Sequence, residues 1–242
     1  MTHATPISHS GFENTRWSLV AALDNRGSAA LTPLLELCLR NWYPVYAYLR
    51  RCGHAPETAQ AMTQQFFDHL LNRGASRADG ERFGRFREFL LAELHAFLQG
   101  ERAPLSEHAP QPPLDIESLE ARQRQDSVNA GSPEAALRRG FALEIIGHAL
   151  KRLRSEARDA HRLPMFEKLE RYLTTEPRPG EFESVADAMN ARPLFVVMAV
   201  KRLRQRFTEL IDEELGDTVL SPEQLLAERT ALYEAMARNG GE

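Results

Sequence analysis

The residues best suited to a definite chemistry form a basic run near the C-terminal end of the chain. The run spans positions 201 to 206, and its cations are Lys201, Arg202, Arg204 and Arg206. Guanidinium and ammonium groups donate hydrogen bonds to phosphate oxygens, so this run is suited to a nucleic-acid backbone. Upstream of it lies Arg192, whose side chain can donate two hydrogen bonds to a guanine in the major groove.

The segment 182–200, just before this run, has the residues that a helix-turn-helix requires. Such a motif needs a small residue where its two helices cross and a turn residue that tolerates a left-handed backbone. Ala186 meets the first requirement and Asn190 meets the second. The residues that could hold the two helices together are apolar: Val185, Met189, Ala191, Val196 and Ala199. The pattern favours a DNA-reading motif, and a plain helical hairpin is the alternative.

The start of the second helix of this motif is unusually apolar for a DNA reader. Its exposed apolar positions are Leu194, Phe195, Val197 and Met198, which could contact only the methyl groups of thymines. Contiguous exposed apolar residues more often mark a covered surface. Three alternatives stay open: a partner covers the motif, the rest of the chain covers it, or the motif no longer reads DNA.

The elements that position these residues are predicted to be helical. Apolar residues recur at spacings of three and four, and no alternating strand pattern is present. We predict an all-α fold of two helical domains, residues 1–103 and 134–242, joined by a proline-rich linker, residues 104–133, with at most one short helix. The second domain contains the helix-turn-helix and a C-terminal extension. One hypothesis is that this extension, beyond Asp217, docks on the second domain and covers the apolar start of the motif's second helix.

Composition narrows the class of protein. A net charge of −4 means that phosphate binding must use local patches or a larger partner. The chain has no P-loop, dinucleotide fingerprint, HExxH motif or nucleophile elbow, which argues against an enzyme. Its cysteines and histidines are not paired at ligand spacing, so we predict neither a metal site nor a cofactor. With no signal peptide or apolar span, we expect a cytoplasmic protein that makes no membrane contact.

Several segments occur in an order that resembles a known family: TRWSLV, NWYPVYAYLRRCGHAPETAQAMTQQFFDHLL, RFREFLLAELHAFLQGE, ALRRGFALEIIGHALKRLR, MFEKLERYL and ESVADAMNARPLFVVMAVKRLRQRF. Together they resemble bacterial RNA polymerase sigma factors of the extracytoplasmic-function (ECF) subfamily. The resemblance implies a transcription initiation factor that binds core RNA polymerase at the β′ clamp and the β flap. It also implies that the first domain opens the −10 promoter element. In the second domain, Arg192, Val197 and the basic run would read the −35 element.

The resemblance assigns the predicted helix 56–71 to polymerase binding. The outward face of this helix carries Glu57, Thr58, Ala61, Gln64, Gln65 and Asp68. The resemblance implies acidic groups at positions 58, 61 and 65, and because this chain has neutral residues at all three, the face should bind polymerase weakly as it stands. Phosphorylation of Thr58 by a Ser/Thr kinase would restore negative charge in the first helical turn, where it is favoured. Thr63 is the alternative acceptor, and an anti-sigma factor is the alternative regulator. The simpler interpretation is that Thr58 is an ordinary exposed residue.

The predicted helix 85–99 matches the family element that captures a flipped promoter base. Such capture uses aromatic or apolar pockets with cations nearby. The candidate residues for contact with the −10 element are Arg82, Arg85, Phe86, Arg87 and Phe97. The aromatic residues among them could instead belong to the core. A second hypothesis for the whole chain follows from its uncharged and apolar surfaces, namely a sigma-like regulatory interaction protein that does not initiate transcription alone.

Overall fold

The computed structural model describes residues 15–22, 28–73, 79, 82–100, 105–106, 109–126 and 131–237. Within these ranges the predicted all-α fold is confirmed, because every regular element is a helix. One isolated antiparallel bridge joins Arg85 to Val219. None of the helices in the described part of the chain is both long enough and apolar enough to cross a membrane.

The helices are, in chain order, α1 (Arg16–Ala22), α2 (Ser28–Arg40), α3 (Trp42–Arg51), α4 (Pro56–Arg73), α5 (Phe86–Gln99), α6 (Ile116–Asp126), α7 (Pro133–Asp159), α8 (Leu163–Leu169), α9 (Glu181–Ala188), α10 (Pro193–Gly216) and α11 (Pro222–Ala237). A short 3-10 helix, Glu170–Leu173, follows α8. Within the predicted linker, the described residues contain the single short helix α6.

The chain divides into two compact units. The first unit comprises residues 1–144 together with 215–242, and the second comprises residues 145–214. These bounds differ from the predicted domains. The start of α7 and the entire C-terminal extension belong to the first unit, and so does the segment that was predicted to be a free linker.

Large aromatic side chains form the core of the first unit. Trp17, Trp42 and Phe66 are fully buried. The ring of Trp17 lies 5.0 Å from that of Phe89, measured between centroids. Close approach of α7 to α3 also shapes this unit, because a Cβ atom at Gly140 would lie 2.9 Å from a backbone atom of α3.

Helix α6 is fixed to α3 by apolar contact and by an ion pair. Leu119 is fully buried in the core of the first unit. The carboxylate of Glu120 accepts hydrogen bonds from Arg50 Nε at 2.7 Å and Arg50 Nη2 at 2.9 Å. These bonds lower the pKa of Glu120 below its ordinary value. The segment between the predicted domains is therefore a structural part of the first unit.

The C-terminal extension also belongs to the first unit, so the expectation that it docks on the second domain is wrong. The backbone N–H of Trp17 donates to the carbonyl of Asp217 at 3.0 Å, and that of Phe86 donates to Thr218 at 2.9 Å. Farther along, Leu225 and Leu232 on α11 are buried. Helix α11 therefore buries apolar side chains within the first unit, and the turn at Asp217 and Thr218 that precedes it is hydrogen-bonded to the same unit.

The second unit is built from the end of α7, helices α8 and α9, and most of α10. Leu169, Tyr172 and Val196 are buried at its centre. Arg204 on α10 donates from Nε to the carbonyl of Tyr172 at 2.7 Å and from Nη2 to that of Thr175 at 3.1 Å. Arg204 therefore ties α10 to the end of the 3-10 helix.

Candidate functional site

Helices α9 and α10 are joined by a tight turn at Asn190. The φ angle of Asn190 is 50°, in the left-handed region that Asn tolerates better than most residues. Ala186 is fully buried, and its carbonyl accepts a hydrogen bond from the N–H of Ala191 at 2.9 Å. Val196 is buried in the same cluster, and Met189 packs against it. The small residue, the turn residue and the apolar contacts thus lie where the sequence predicted them.

The first turns of α10 present apolar side chains to solvent. Leu194 is 70% exposed, Phe195 50% and Met198 41%. Val197, a predicted DNA contact, is 40% exposed. Arg192, which precedes this helix, is exposed as well. The prediction of an exposed apolar start is therefore confirmed.

The basic run on α10 separates into two pairs of cations. Lys201 and Arg202 are exposed and form no ion pair with the residues that the structure describes. Arg206, in contrast, binds Glu156 through Nη2 at 2.7 Å and Nε at 2.9 Å. Arg204 is held by the carbonyls described above. Of the run predicted to bind phosphates, only Lys201 and Arg202 are available in this conformation, because the other two guanidinium groups already have partners within the second unit.

A groove of about 890 Å³ lies between the end of α7, helix α8 and the first half of α10. Its lining includes the buried Leu153 and Phe166 and the exposed Phe195 and Met198. The arginines along it are Arg162, Arg192, Arg202 and Arg206. Sequence analysis had singled out the α10 residues but missed those from α7 and α8, because no local spacing indicates which distant helix faces α10.

The predicted polymerase-binding face lies on α4. Glu57, Thr58 and Ala61 are exposed, and Gln64 and Gln65 are partly exposed. Asp68 does not share this face. It is buried, and its carboxylate accepts hydrogen bonds from the backbone N–H of Ser106 at 2.8 Å and from the Ser106 hydroxyl. The prediction that Asp68 faces outward is therefore wrong, because Ser106 binds its carboxylate.

The two candidate phosphorylation sites on α4 differ in access. Thr58 is exposed in the first turn of the helix. Thr63 is fully buried, and its hydroxyl donates to the carbonyl of Ala59 at 2.7 Å. A kinase could reach Thr58 in this conformation, whereas Thr63 would first have to leave the core.

The predicted −10 contacts on and before α5 are largely engaged within the first unit. Phe86 and Phe97 are buried, so they belong to the core as the alternative interpretation held. Arg87 donates to Glu228 on α11 through Nε at 3.0 Å and Nη2 at 2.9 Å, and Arg85 lies 3.4 Å from the same carboxylate. Arg82 is exposed and stacks its guanidinium over the ring of Phe83, 4.9 Å from its centroid. Sequence analysis missed Glu228.

In comparisons with known proteins, no family model, no curated protein and no solved structure matches this chain. The surfaces described here are exposed cations beside an apolar groove in the second unit, and a weakly charged α4 face in the first.

Proposed function

We propose that this chain is a transcription initiation factor of the sigma type, which binds core RNA polymerase and directs it to specific promoters. The observation that supports this best is the pair α9 and α10, joined through the left-handed Asn190 over the buried Ala186. A helix held in this way can enter the major groove and present its first residues to base edges. Arg192 would contact a guanine, and Lys201 and Arg202 would contact phosphates.

Charge explains why such a factor would act only as part of a larger complex. The whole chain carries a net charge of −4, and α10 offers few free cations to DNA. Each phosphate neutralised by a protein cation adds to DNA affinity and to its dependence on salt. A surface with so few contacts gives weak binding by itself. Core polymerase would then supply most of the affinity, and α10 would supply promoter choice.

The α4 face would supply the contact with polymerase, and Thr58 would adjust it. Around Thr58 this face is short of negative charge, since Ala61 and Gln65 are neutral and Asp68 is buried. Phosphorylation of Thr58 would add about two negative charges to the first turn of α4, where the helix dipole favours them. Attraction to a basic polymerase surface would increase as a result.

In vitro transcription with purified bacterial core RNA polymerase and host genomic DNA tests the proposal. The proteins to compare are the wild type, Thr58→Glu, and Thr58→Gln as a control of matched size without charge. We expect promoter-specific transcripts that increase about tenfold with Thr58→Glu and remain at the wild-type level with Thr58→Gln. Equal transcription by all three would keep the initiation function and remove the switch. If none gives transcripts and none binds core polymerase in a pull-down, the proposal is wrong.

A sigma-like interaction protein that does not initiate transcription alone is the second candidate. Two observations favour it: the exposed apolar start of α10, and the engagement of Arg87 by the buried Glu228. Affinity for promoter DNA at rising salt separates the two candidates. With Lys201 and Arg202 as its phosphate contacts, a promoter-reading factor has a weak DNA affinity at low salt that falls by a shallow slope as salt rises, whereas an interaction protein has no DNA affinity at any salt concentration.

A further inference from the structure

The carboxylate of Asp68 on α4 is buried without a cation beside it. Asp68 is 6% exposed, and no cation among the residues that the structure describes pairs with it. Its partners are neutral donors: the N–H of Ser106 at 2.8 Å, the hydroxyl of the same residue, and the side-chain amide of Asn72 at 3.2 Å. A carboxylate that is removed from water is ordinarily paired with a cation. A binding partner could supply the cation that Asp68 lacks.

We infer that Asp68 is a further polymerase-binding residue, and that Ser106 covers its carboxylate until a basic side chain of core RNA polymerase replaces this contact. The inference deepens the proposed function and rests on it. Ser106 offers hydrogen bonds from neutral donors only. A guanidinium or ammonium group would add charge attraction to its own hydrogen bonds, so it would compete with Ser106 for the carboxylate.

Asp68 is placed to extend the predicted polymerase-binding face of α4. It lies one helical turn beyond Gln64 and Gln65, and residues three or four apart are neighbours on a helix surface. Both glutamines are partly exposed, and the exposed acid of this face, Glu57, lies at its other end. With Ser106 removed from Asp68, the face would carry a negative charge at each end.

Few contacts hold Ser106 over Asp68. Ser106 itself donates both hydrogen bonds, and the neighbouring Leu105 is 43% exposed, so it adds little apolar burial. Farther along the segment, Pro110 and Leu119 are buried. Ser106 can therefore leave Asp68 by a local opening while α6 stays bound to α3.

An equilibrium between covered and uncovered Asp68 would limit the affinity for polymerase. When only a fraction of the molecules has the binding-competent form, the apparent affinity is reduced by that fraction. Ser106→Ala removes the hydroxyl and keeps the backbone N–H. Loss of one hydrogen bond to a charged group should raise the uncovered fraction about tenfold.

Titration of the fluorescently labelled full chain with purified bacterial core RNA polymerase, followed by anisotropy, tests the inference. We expect Ser106→Ala to bind about tenfold more tightly than the wild type. Ser118→Ala is the matched control, because it removes the hydroxyl of an exposed serine on α6 in the same segment. This variant should bind polymerase like the wild type.

A double variant identifies the group that binds. Asparagine has the size of aspartate and can still accept a hydrogen bond, but it carries no charge. In Asp68→Asn combined with Ser106→Ala, the tenfold gain should therefore disappear, to within about twofold of the wild-type affinity.

Three outcomes would overturn the inference. The first is wild-type affinity in Ser106→Ala, and the second is an equal gain in the single and double variants, since another group beneath Ser106 would then bind. The third is unchanged hydrogen exchange at the amide of position 106, which we expect to be about tenfold faster in Ser106→Ala. Binding of the wild type tests the proposed function separately. If the wild type and Thr58→Glu both fail to bind core polymerase, the proposed function is wrong, whereas any of the three outcomes with wild-type binding intact removes the inference alone.

Discussion

The two surfaces predicted to meet DNA, one in each unit, differ in what already occupies their cations. In the first unit, Arg85 and Arg87 share the carboxylate of Glu228. In the second unit, Arg192 and Arg202 are exposed and form no ion pair with described residues. Arginines that look equivalent in sequence therefore differ in availability. Glu228 on α11, far along the chain from α5, engages both Arg85 and Arg87, and Arg85 also pairs with Glu88 on α5.

Burial explains why the Glu228 contact is structural. The side chain of Glu228 is 1% exposed, and a carboxylate removed from water in this way is stable only when it is paired and hydrogen-bonded. Arg87 provides this through two parallel hydrogen bonds. Any contact between Arg87 and DNA would require α11 to leave α5, whereas Arg192 needs no such rearrangement.

The same contrast recurs within α10 itself. Arg206 is bound by Glu156 and Glu213, and Lys201 and Arg202 point to solvent. Of the four cations in this run, Arg204 and Arg206 are therefore held within the second unit, and Lys201 and Arg202 remain available. A basic run in a sequence sets an upper limit on the number of phosphate contacts, and the fold determines how many of its cations remain free.

The largest effect is expected from removing Glu228, the acid that pairs with Arg85 and Arg87 in the first unit. Glu228→Ala would leave the mostly buried guanidinium of Arg87, 11% exposed, without its partner, at a cost of about 4 kcal/mol in the free energy of unfolding. Both tryptophans, Trp17 and Trp42, lie in the first unit, so the tryptophan fluorescence of a urea titration reports on this unit. Glu234→Ala, at an exposed position on the same helix, is the control and should change stability by less than about 0.5 kcal/mol. Equal curves for the two variants would contradict a structural role for Glu228.

The next effect tests whether α11 is an integral part of the first unit. Leu225 is 3% exposed and its neighbour Leu226 is 61% exposed. Leu225→Ala should lower the free energy of unfolding by about 3 kcal/mol, since it removes buried methyl groups and leaves a cavity. Leu226→Ala should change it by less than about 0.5 kcal/mol. The same fluorescence titration measures both. Similar losses, or none in either variant, would mean that α11 is not held against the first unit as described.

Sequence analysis was most successful where the determinants are local. The left-handed turn at Asn190, the buried Ala186 and the helix start at Pro56 each depend on residues within a few positions, and the structure has all three. It failed where a contact joins distant segments. The pairing of Asp68 with Ser106 and of Arg87 with Glu228 leaves no signal in local spacing or periodicity. The boundaries of the two units were missed for the same reason, since they depend on where the C-terminal extension docks.

The smallest effect concerns the turn that orients α10 in the second unit. Asn190→Ala puts a residue with no side-chain hydrogen bond into the left-handed region, which should cost about 1 kcal/mol. Asn190→Gly is the matched control, because glycine adopts positive φ without strain, although its greater freedom in the unfolded chain offsets part of that gain.

Hydrogen exchange followed by mass spectrometry can detect a change confined to this turn. The amide to follow is that of Ala191, which donates a hydrogen bond to the carbonyl of Ala186. We expect exchange to be about fivefold faster in Asn190→Ala and close to the wild-type rate in Asn190→Gly. Equal exchange in the alanine and glycine variants would mean that the left-handed backbone at Asn190 does not hold this turn, and the orientation of α10 on α9 would then rest on the apolar contacts of Ala186 and Val196 alone.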